Sequence, residues 1–112
     1  MVDISIVIPV YKCYDSLYLL FSRISESLKE IPLKYEVIFV YDGGPYKDWE
    51  VISEIAEKNS NVVGIELSRN FGQHKAITAG LSYSAGEWIV VMDCDLQDNP
   101  YDIKRLYEKA TL

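Results

Sequence analysis

Apolar residues fall into eight segments along the chain, and their spacing alternates between that of strands and that of helices. Short apolar runs rich in β-branched residues predict four strands, at residues 4–10, 35–41, 62–67 and 88–92. Apolar residues three and four apart predict four helices, over residues 17–28, 51–56, 73–84 and 103–110. Four strand–helix units in succession are typical of a parallel sheet with helices on both faces and right-handed crossovers.

Turn and capping residues mark the boundaries of these segments. The Asp-Gly-Gly-Pro sequence at residues 42–45 predicts a turn after the second strand. Asp15 or Ser16 is the predicted cap of the first helix, and Asn99 followed by Pro100 opens the last one. These signals place a polar loop after each predicted strand, and in a parallel sheet such loops share one edge.

Two segments are predicted to be closely packed. Ala76, Ile77 and Gly80 share one face of the third helix, which we expect to approach its neighbour closely. The strand at residues 88–92 is continuously apolar, a pattern typical of a strand that is buried on both faces. We therefore expect this strand at the centre of the sheet.

The composition is that of one small, acidic, globular domain. The chain has 112 residues, of which 49% are hydrophobic and 25% charged, with a formal net charge of −6. Non-specific nucleic-acid binding needs clustered Lys and Arg, so this class of function is excluded. No segment approaches the ~20 apolar residues of a membrane helix, and no basic and apolar leader opens the chain. We expect a soluble chain in the cytoplasm.

The two cysteines, Cys13 and Cys94, are far apart in the sequence. Neither belongs to a CxxC pair or to a Cys/His spacing typical of metal ligands. We therefore expect two free thiols in a reducing compartment.

Two aspartates directly follow the fourth predicted strand. Asp93 and Asp95 are two residues apart, which puts their side chains on the same side of an extended chain, and Asp98 is close by. Carboxylates this close repel one another unless a proton or a cation lies among them. Mg²⁺ and Mn²⁺ prefer oxygen ligands and usually complete their shell with substrate phosphates. We therefore expect Asp93 and Asp95 to bind a divalent metal, with Gln97 as a third ligand, rather than to form a solvated helix cap.

Three residues at the other strand ends have two interpretations each. Asp42 fits a turn that hydrogen-bonds its own backbone, or an acceptor for a nucleobase or ribose. Arg69 fits a surface salt bridge or a phosphate ligand. Tyr11 fits packing at the rim or stacking on a base. Ligands of open α/β sheets bind outside the carboxyl ends of the strands, so all three residues lie at the expected binding edge.

Taken together, the strand ends resemble those of glycosyltransferase family 2, the inverting enzymes with the GT-A fold. The matching segments are Ser-Ile-Val-Ile-Pro-Val-Tyr at residues 5–11, Tyr-Asp-Gly-Gly at 41–44, Ser-Arg-Asn-Phe-Gly-Gln at 68–73 and Met-Asp-Cys-Asp-Leu-Gln-Asp-Asn-Pro at 92–100. The last two are most similar to the polyprenyl-phosphate branch, which includes dolichol-phosphate mannose synthase. The family usually reads Asp-Asp-Gly-Ser at the second segment, so the first Asp and the Ser are replaced in this chain.

The resemblance implies a Rossmann-like GT-A three-layer sandwich, with a mostly parallel sheet and helices on both faces. Residues 1–112 would be its nucleotide-sugar-binding N-terminal part, truncated before the acceptor-binding part. The implied reaction moves a sugar, with inversion, from a UDP or GDP sugar to a polyprenyl phosphate, in cell-envelope or glycan biosynthesis. We expect this part alone to be inactive. We expect the full-length protein at the cytoplasmic face of the membrane, in contact with the bilayer only through downstream segments.

The resemblance also implies roles for individual residues. It implies that the nucleotide is bound by Pro9, Tyr11, Asp42, Arg69 and Asp93. It implies a Mg²⁺ or Mn²⁺ ion that bridges the diphosphate and is held by Asp93 and Asp95, with Gln97 as a further ligand. The general base of the family comes from the downstream part, so no catalytic base is assigned in this chain.

Two alternatives remain beside this hypothesis. The first is a nucleotide-sugar-binding module without turnover, which shares the same residues. The second is a phosphotransferase similar to the haloacid dehalogenases, in which the first aspartate of Asp-x-Asp is a nucleophile. That family has Thr or Val two residues after the second Asp, where this chain has Gln97, and its motif follows an early strand.

Overall fold

The computed structural model describes residues 2–29, 31–97 and 99–111, which form four strands and four helices in strict alternation. The strands are β1 (Ile4–Val10), β2 (Tyr35–Tyr41), β3 (Val62–Glu66) and β4 (Trp88–Val91). The helices are α1 (Leu17–Leu28), α2 (Asp48–Lys58), α3 (Gln73–Tyr83) and α4 (Tyr101–Thr111). The order of elements confirms the predicted βα units, and the differences from the predicted bounds lie at the ends of elements, mainly at the start of α2.

The strands form one parallel sheet in the order β3-β2-β1-β4. Along the chain the sheet first grows from β1 through β2 to β3, and it then continues on the other side of β1 with β4. The direction in which strands are added to the sheet therefore reverses at β1. The carboxyl ends of β1 and β4 border the point at which α/β sheets of this kind bind ligands.

Apolar side chains form a core on each face of the sheet, because every residue of β1 is buried and its side chains alternate between the faces. The larger core includes Ile4, Ile6 and Ile8 of β1 together with apolar residues of α1, α2 and α4. The smaller core, beneath α3, consists of Val7, Ile38, Val40 and Ala76. The helices thus form a layer on each side of the sheet, as predicted.

The third helix approaches the sheet closely, as its small residues predict. Ala76 and Gly80 are buried. A Cβ atom at Gly80 would lie 2.4 Å from Val7 Cγ1 and 3.2 Å from Val40 Cγ2. Glycine at this position therefore lets α3 lie directly on β1 and β2.

The strand predicted at the centre of the sheet lies at its edge. Among the described strands β4 pairs with β1 alone, and Trp88, Ile89 and Val91 are each 45% exposed. Ile89 and Val91 are in register with Ser5 and Val7, on the face covered by α3, but α3 packs over β1 and β2. Within the described residues the prediction of a central strand is therefore wrong, because no described strand pairs with the second side of β4.

A small polar cluster fixes the turn between α3 and β4. The hydroxyl of Ser5, which is fully buried in β1, donates to Glu36 Oε2 at 2.5 Å. The same carboxylate oxygen accepts the Ala85 N–H at 2.8 Å, and the Gly86 N–H donates to Ser5 Oγ at 2.8 Å. The cluster holds the start of β4 against β1 and so positions the loop that follows β4.

The helices of the described residues are short. None of those within residues 2–29, 31–97 and 99–111 is long and apolar enough to span a bilayer.

Replacing Gly80 with alanine is expected to destabilise the fold. Alanine normally favours a helix over glycine by about 1 kcal/mol, but here the added methyl group overlaps Val7, and overpacking costs about 1–3 kcal/mol. We expect Gly80→Ala to lower the free energy of unfolding in urea. The exposed Ser82→Ala substitution on the same helix is the control and should change stability by less than about 0.5 kcal/mol. A stabilised Gly80→Ala variant would contradict this packing.

Candidate functional site

A cleft of about 320 Å³ opens at the carboxyl ends of β1 and β4. Its walls are residues 9–13 at the end of β1, Asp42 after β2, Gln73 at the start of α3, and residues 93–95 after β4. Three of the four strand ends therefore contribute directly, at the point where the sheet reverses its direction of growth.

The loop after β1 is held by a buried carboxylate of α2. Asp48 is completely buried, and its two oxygens accept the backbone N–H groups of Lys12 at 2.7 Å and Cys13 at 2.9 Å. These bonds satisfy backbone donors that the end of a strand would otherwise leave unpaired. Lys12 has a φ of 59°, a left-handed conformation that residues with a Cβ rarely adopt. Asp48 therefore fixes an unusual backbone course at the cleft wall.

The two cysteines are joined by a disulfide, so the prediction of two free thiols was wrong. Cys13 follows β1, Cys94 follows β4, and their Cα atoms are 5.9 Å apart, within the usual span of a disulfide. Sequence spacing could not reveal this pair because 81 residues separate them. The parallel pairing of β1 with β4 brings their loops together.

The loop after β4 carries the aspartates for which a metal-binding role is predicted. Asp93 and Asp95 both line the cleft, Asp93 partly buried and Asp95 exposed. Leu96 has a φ of 68°, and the Gln97 N–H donates to Asp95 Oδ1 at 3.4 Å. Asp98 lies outside the described residues. The loop turns sharply and keeps both carboxylates at the same cleft.

The hydroxyl of Ser16 lies between the two cysteine loops. Ser16 precedes α1, as predicted, but its side chain makes no capping bond to the helix. Its Oγ lies 2.8 Å from the Cys94 carbonyl oxygen and 3.1 Å from that of Cys13. A hydroxyl has one proton to donate, so Ser16 can bond fully to one of the two loops at a time.

Asp42 connects the loops after β2 and β3. It is 5% exposed, and its Oδ1 accepts the N–H groups of Phe71 at 3.0 Å and Gly72 at 3.2 Å. A Cβ atom at Gly43 would lie 2.3 Å from the carbonyl carbon of Arg69, so this glycine allows the two loops to touch. Asp42 thus has a structural role, and it also lines the cleft.

Tyr41 stabilises the turn after β2. Its ring is buried, and burial raises the pKa of its hydroxyl, which donates to the Gly44 carbonyl oxygen at 2.7 Å. The hydroxyl also accepts the Tyr46 N–H at 3.2 Å. The rings of Tyr46 and Tyr11 meet edge to face with centroids 5.4 Å apart. A tyrosine at position 41 therefore supplies the turn with hydrogen bonds from the side chain.

Arg69 and Gln97 do not line the cleft. Arg69 is exposed and its guanidinium lies 4.7 Å from the centre of the Phe71 ring. Gln97 is exposed beyond Asp95. The cation that does line the cleft is Lys12, whose Nζ lies 5.0 Å from the centre of the Tyr46 ring. A hydrogen bond to Tyr46 raises the pKa of Lys12 above its ordinary value.

The carboxylate oxygens at the cleft suit a metal ion whose other coordination positions are filled by a ligand. Within residues 2–29, 31–97 and 99–111 no three His, Cys, Asp or Glu side chains form a closed metal site. Asp93 and Asp95 together offer two carboxylates at one cleft. Mg²⁺ and Mn²⁺ are commonly held by one or two carboxylates plus phosphate oxygens, so these residues fit such an ion once a phosphate ligand is present.

Comparison with known proteins decides the family. Residues 5–111 match the model of the family described as Glycosyl transferase family 2. This chain belongs to that family. The match runs through all four strands and confirms the resemblance of the strand ends, so a phosphotransferase similar to the haloacid dehalogenases is set aside.

Curated relatives within family 2 match nearly the whole chain. The undecaprenyl-phosphate 4-deoxy-4-formamido-L-arabinose transferase of Pseudomonas fluorescens (strain SBW25) is 42% identical over 110 residues, which are 97% of this chain and 32% of the relative. The enzyme of the same name from Klebsiella pneumoniae (strain 342) is 42% identical over 108 residues, or 96% of this chain and 33% of the relative. The chain thus spans about a third of the length of these relatives.

Solved structures confirm the GT-A fold. S. aureus TarS, residues 1–349, superposes with a TM-score of 0.72 at 20% identity, over 95% of this chain and 31% of TarS. The mannosyltransferase PcManGT from Pyrobaculum calidifontis, solved with GDP-Man and Mn²⁺, superposes with a TM-score of 0.63 at 20% identity, over 82% of this chain and 27% of that one. At this identity the likeness shows the fold alone.

The structure therefore brings together Pro9, Tyr11, Asp42, Asp93 and Asp95 at one cleft and leaves Arg69 and Gln97 outside its walls. Sequence reasoning missed Asp48, whose only signal was an acid in the first turn of a helix. It also missed the disulfide. The ligand contacts of all these residues stay predictions.

Replacing Asp48 with asparagine is expected to loosen the loop after β1. The amide nitrogen cannot accept a hydrogen bond, so either Lys12 or Cys13 loses its partner, at a cost of about 1–3 kcal/mol in the free energy of unfolding. Glu50→Gln makes the same charge change in the same helical turn at an exposed position and is the control. Equal stability of the two variants in urea would show that the bonds of Asp48 contribute nothing measurable.

Proposed function

We propose that this protein transfers a sugar, with inversion, from a nucleoside diphosphate sugar to a polyprenyl phosphate. The observation that carries the proposal is the cleft at the reversal point of the sheet, where Tyr11, Asp42 and two neighbouring carboxylates meet. Membership of family 2 supports the transfer of a sugar, and relatives named as undecaprenyl-phosphate transferases support the acceptor.

Residues 1–112 are proposed as the donor-binding part of the enzyme. Ligands of α/β sheets bind beyond the carboxyl ends of strands, and here those ends form the cleft. The acceptor-binding residues and the general base are assigned to the part of the relatives that this chain does not span. A polyprenyl phosphate acts from within a membrane, so we assign the enzyme to the surface of a bilayer, and we propose its cytoplasmic face.

The nucleoside is assigned to the wall formed by β1 and β2. Pro9 and Tyr11 line this wall, and Asp42 provides a buried carboxylate as an acceptor. The Tyr11 ring is 39% exposed and held edge to face by Tyr46, which leaves a face for stacking on a base. Arg69 is assigned to the rim near the nucleotide, because its backbone packs on Gly43 in the turn after Asp42.

The diphosphate is assigned to the wall formed by the loop after β4. Asp93 and Asp95 would hold Mg²⁺ or Mn²⁺, with Gln97 of the same loop as a further ligand. Such an ion stabilises the negative charge that grows on the nucleoside diphosphate as the sugar C1–O bond breaks. Lys12 adds a second positive charge at the cleft.

The acceptor chemistry accounts for inversion and reduces the task of the general base that is assigned to the downstream part. A lipid phosphate is anionic, so its oxygen can attack C1 without losing a proton in the same step. Attack from the face opposite the leaving diphosphate inverts the configuration at C1. The role of residues 1–112 is then to orient the donor so that this face is open, which lowers the entropic part of the barrier.

Donor binding is expected to require a divalent cation. We expect UDP or GDP sugars to bind in calorimetry about tenfold or more tightly with Mn²⁺ than with EDTA. The Asp93→Asn, Asp95→Asn double variant should lose this difference. The Glu50→Gln, Glu57→Gln double variant makes the same change in net charge on the exposed face of α2 and should keep it. Unaltered Mn²⁺-dependent binding in the aspartate variant would remove the assigned metal role.

Sugar transfer is expected to depend on the same carboxylates and on the lipid phosphate. With the intact protein, labelled sugar should pass from a nucleotide donor into the organic phase only when undecaprenyl phosphate is supplied. Asp93→Asn should lower the rate about 100-fold or more, the usual effect of losing one group that stabilises a transition state. Donor binding without transfer to any acceptor would instead support a binding module without turnover.

A further inference from the structure

We propose that the Cys13–Cys94 disulfide is a redox-responsive tether of the cleft. In the oxidised form it holds the loop of Asp93 and Asp95 in the geometry that binds the donor, and its reduction weakens donor binding. The inference rests on the proposed function for the identity of the ligand. The tether itself rests on the covalent bond between the two loops.

The position of the disulfide connects it to the cleft. Cys94 lies between Asp93 and Asp95 in the sequence, and all three residues line the cleft together with Cys13. The bond joins the loops after β1 and β4, the two strands between which the sheet reverses. A change in this bond therefore acts on the backbone that carries both carboxylates.

One end of the tether is firmly held. Cys13 donates its N–H to Asp48 Oδ1, and Asp48 is completely buried. This anchors the loop after β1 independently of the disulfide. Through the sulfur–sulfur bond, the anchored loop after β1 therefore restrains the position of the loop after β4.

At the Cys94 end of the tether, the backbone of the loop after β4 has a conformation that needs support from its surroundings. Leu96, two residues after Cys94, has a φ of 68°, and residues with a Cβ seldom adopt this region without support from their surroundings. The Ser16 hydroxyl is shared between the carbonyl oxygens of Cys13 and Cys94. When the disulfide opens, that shared hydroxyl is a weak substitute for a covalent link.

The proposed compartment makes the bond a reversible one. At the cytoplasmic face thiols are kept reduced, and disulfides that do form there are usually transient or redox-sensing. Cys13 and Cys94 are only 6% and 8% exposed, but both sulfur-bearing residues border the open cleft. A small dithiol can reach them through the cleft, and a bound donor would obstruct that route.

The chemical step is ordinary thiol–disulfide exchange. A thiolate of a dithiol reductant attacks one sulfur of the Cys13–Cys94 bond, which breaks as a mixed disulfide forms. The second thiol of the reductant then closes on its partner and releases the protein. Two electrons and two protons pass to the protein, which gains two thiols, and the reductant leaves as its own disulfide.

Coupling between the bond and the ligand must be reciprocal. If the oxidised form binds the nucleotide more tightly by a given factor, the bound nucleotide shifts the dithiol–disulfide equilibrium towards the oxidised form by the same factor. A bond that only stabilises the fold would change the unfolding transition and leave nucleotide affinity unaltered. The two roles therefore differ in a measurable quantity.

The test compares oxidised and reduced protein under nitrogen after removal of the reductant. UDP and GDP are titrated with Mg²⁺, and amide hydrogen exchange is followed at residues 93–97. We expect the reduced protein to bind the nucleotide about fivefold or more weakly, to exchange faster at these residues, and to regain affinity on reoxidation. The bound nucleotide should shift the equilibrium with dithiothreitol by the same factor.

The Cys13→Ser, Cys94→Ser double variant is the matched control. It should behave as the reduced protein and be insensitive to reductant; if it does not fold, the reversible cycle of the unmodified protein decides alone. Two thiols that persist under oxidising conditions, or equal affinity and exchange in both redox states, would overturn the tether. If neither nucleotide binds in either state, the proposed function fails, and hydrogen exchange at residues 93–97 decides for or against the tether by itself.

Discussion

The burial of β1 on both faces and its pairing on both sides are the constraint on which the rest of the molecule depends. A parallel strand with two neighbours requires crossover connections, and here the chain adds β2 and β3 on one side of β1 before α3 crosses back to β4 on the other side. The loops at the carboxyl ends of β1 and β4 meet at the point of reversal and form two walls of the cleft. The candidate site therefore follows from the order of the strands, and its chemistry follows from the residues that happen to end them.

Two buried carboxylates fix the backbone of the loops around this cleft. Asp48 accepts two backbone N–H groups from the loop after β1, and Asp42 accepts two from the loop after β3. Irregular loops near a core must pair their backbone donors. In each case one carboxylate accepts two of these N–H groups. Tyr41 has a comparable role in the turn after β2, through its bonds to Gly44 and Tyr46. The shape of the cleft thus depends on side chains that hold the backbone of its loops, and the loops held by Asp42 and Asp48 are distant from them in sequence.

The elements and their order could be predicted from the sequence because apolar spacing reports local geometry, and the edge of the sheet that carries the cleft followed from the parallel arrangement. The position of β4 at the edge of the described sheet was not predicted, since the apolar run of Trp88–Val91 indicates a buried strand and here only one of its sides is paired. The Cys13–Cys94 bond and the contacts of Asp48 depend on residues that only the tertiary fold brings together. The local pattern was therefore enough to predict the elements of the fold and the place of Asp93 and Asp95 at the cleft. It was not enough to predict the tertiary contacts that hold the loops of the cleft.

Under the proposed function, the charge of the cleft makes nucleotide binding depend on the loop after β4. Asp42, Asp93, Asp95 and Lys12 line one cleft of a chain whose net charge is −6. A diphosphate entering this cleft is repelled unless the carboxylates share a cation with it, because their like charges lie in a partly desolvated space. Coordination of a shared cation requires Asp93 and Asp95 to keep a fixed separation. A general electrostatic attraction between ligand and cleft would not require it. The disulfide at Cys94, which lies between those two residues in the sequence, therefore acts on the backbone that carries both carboxylates.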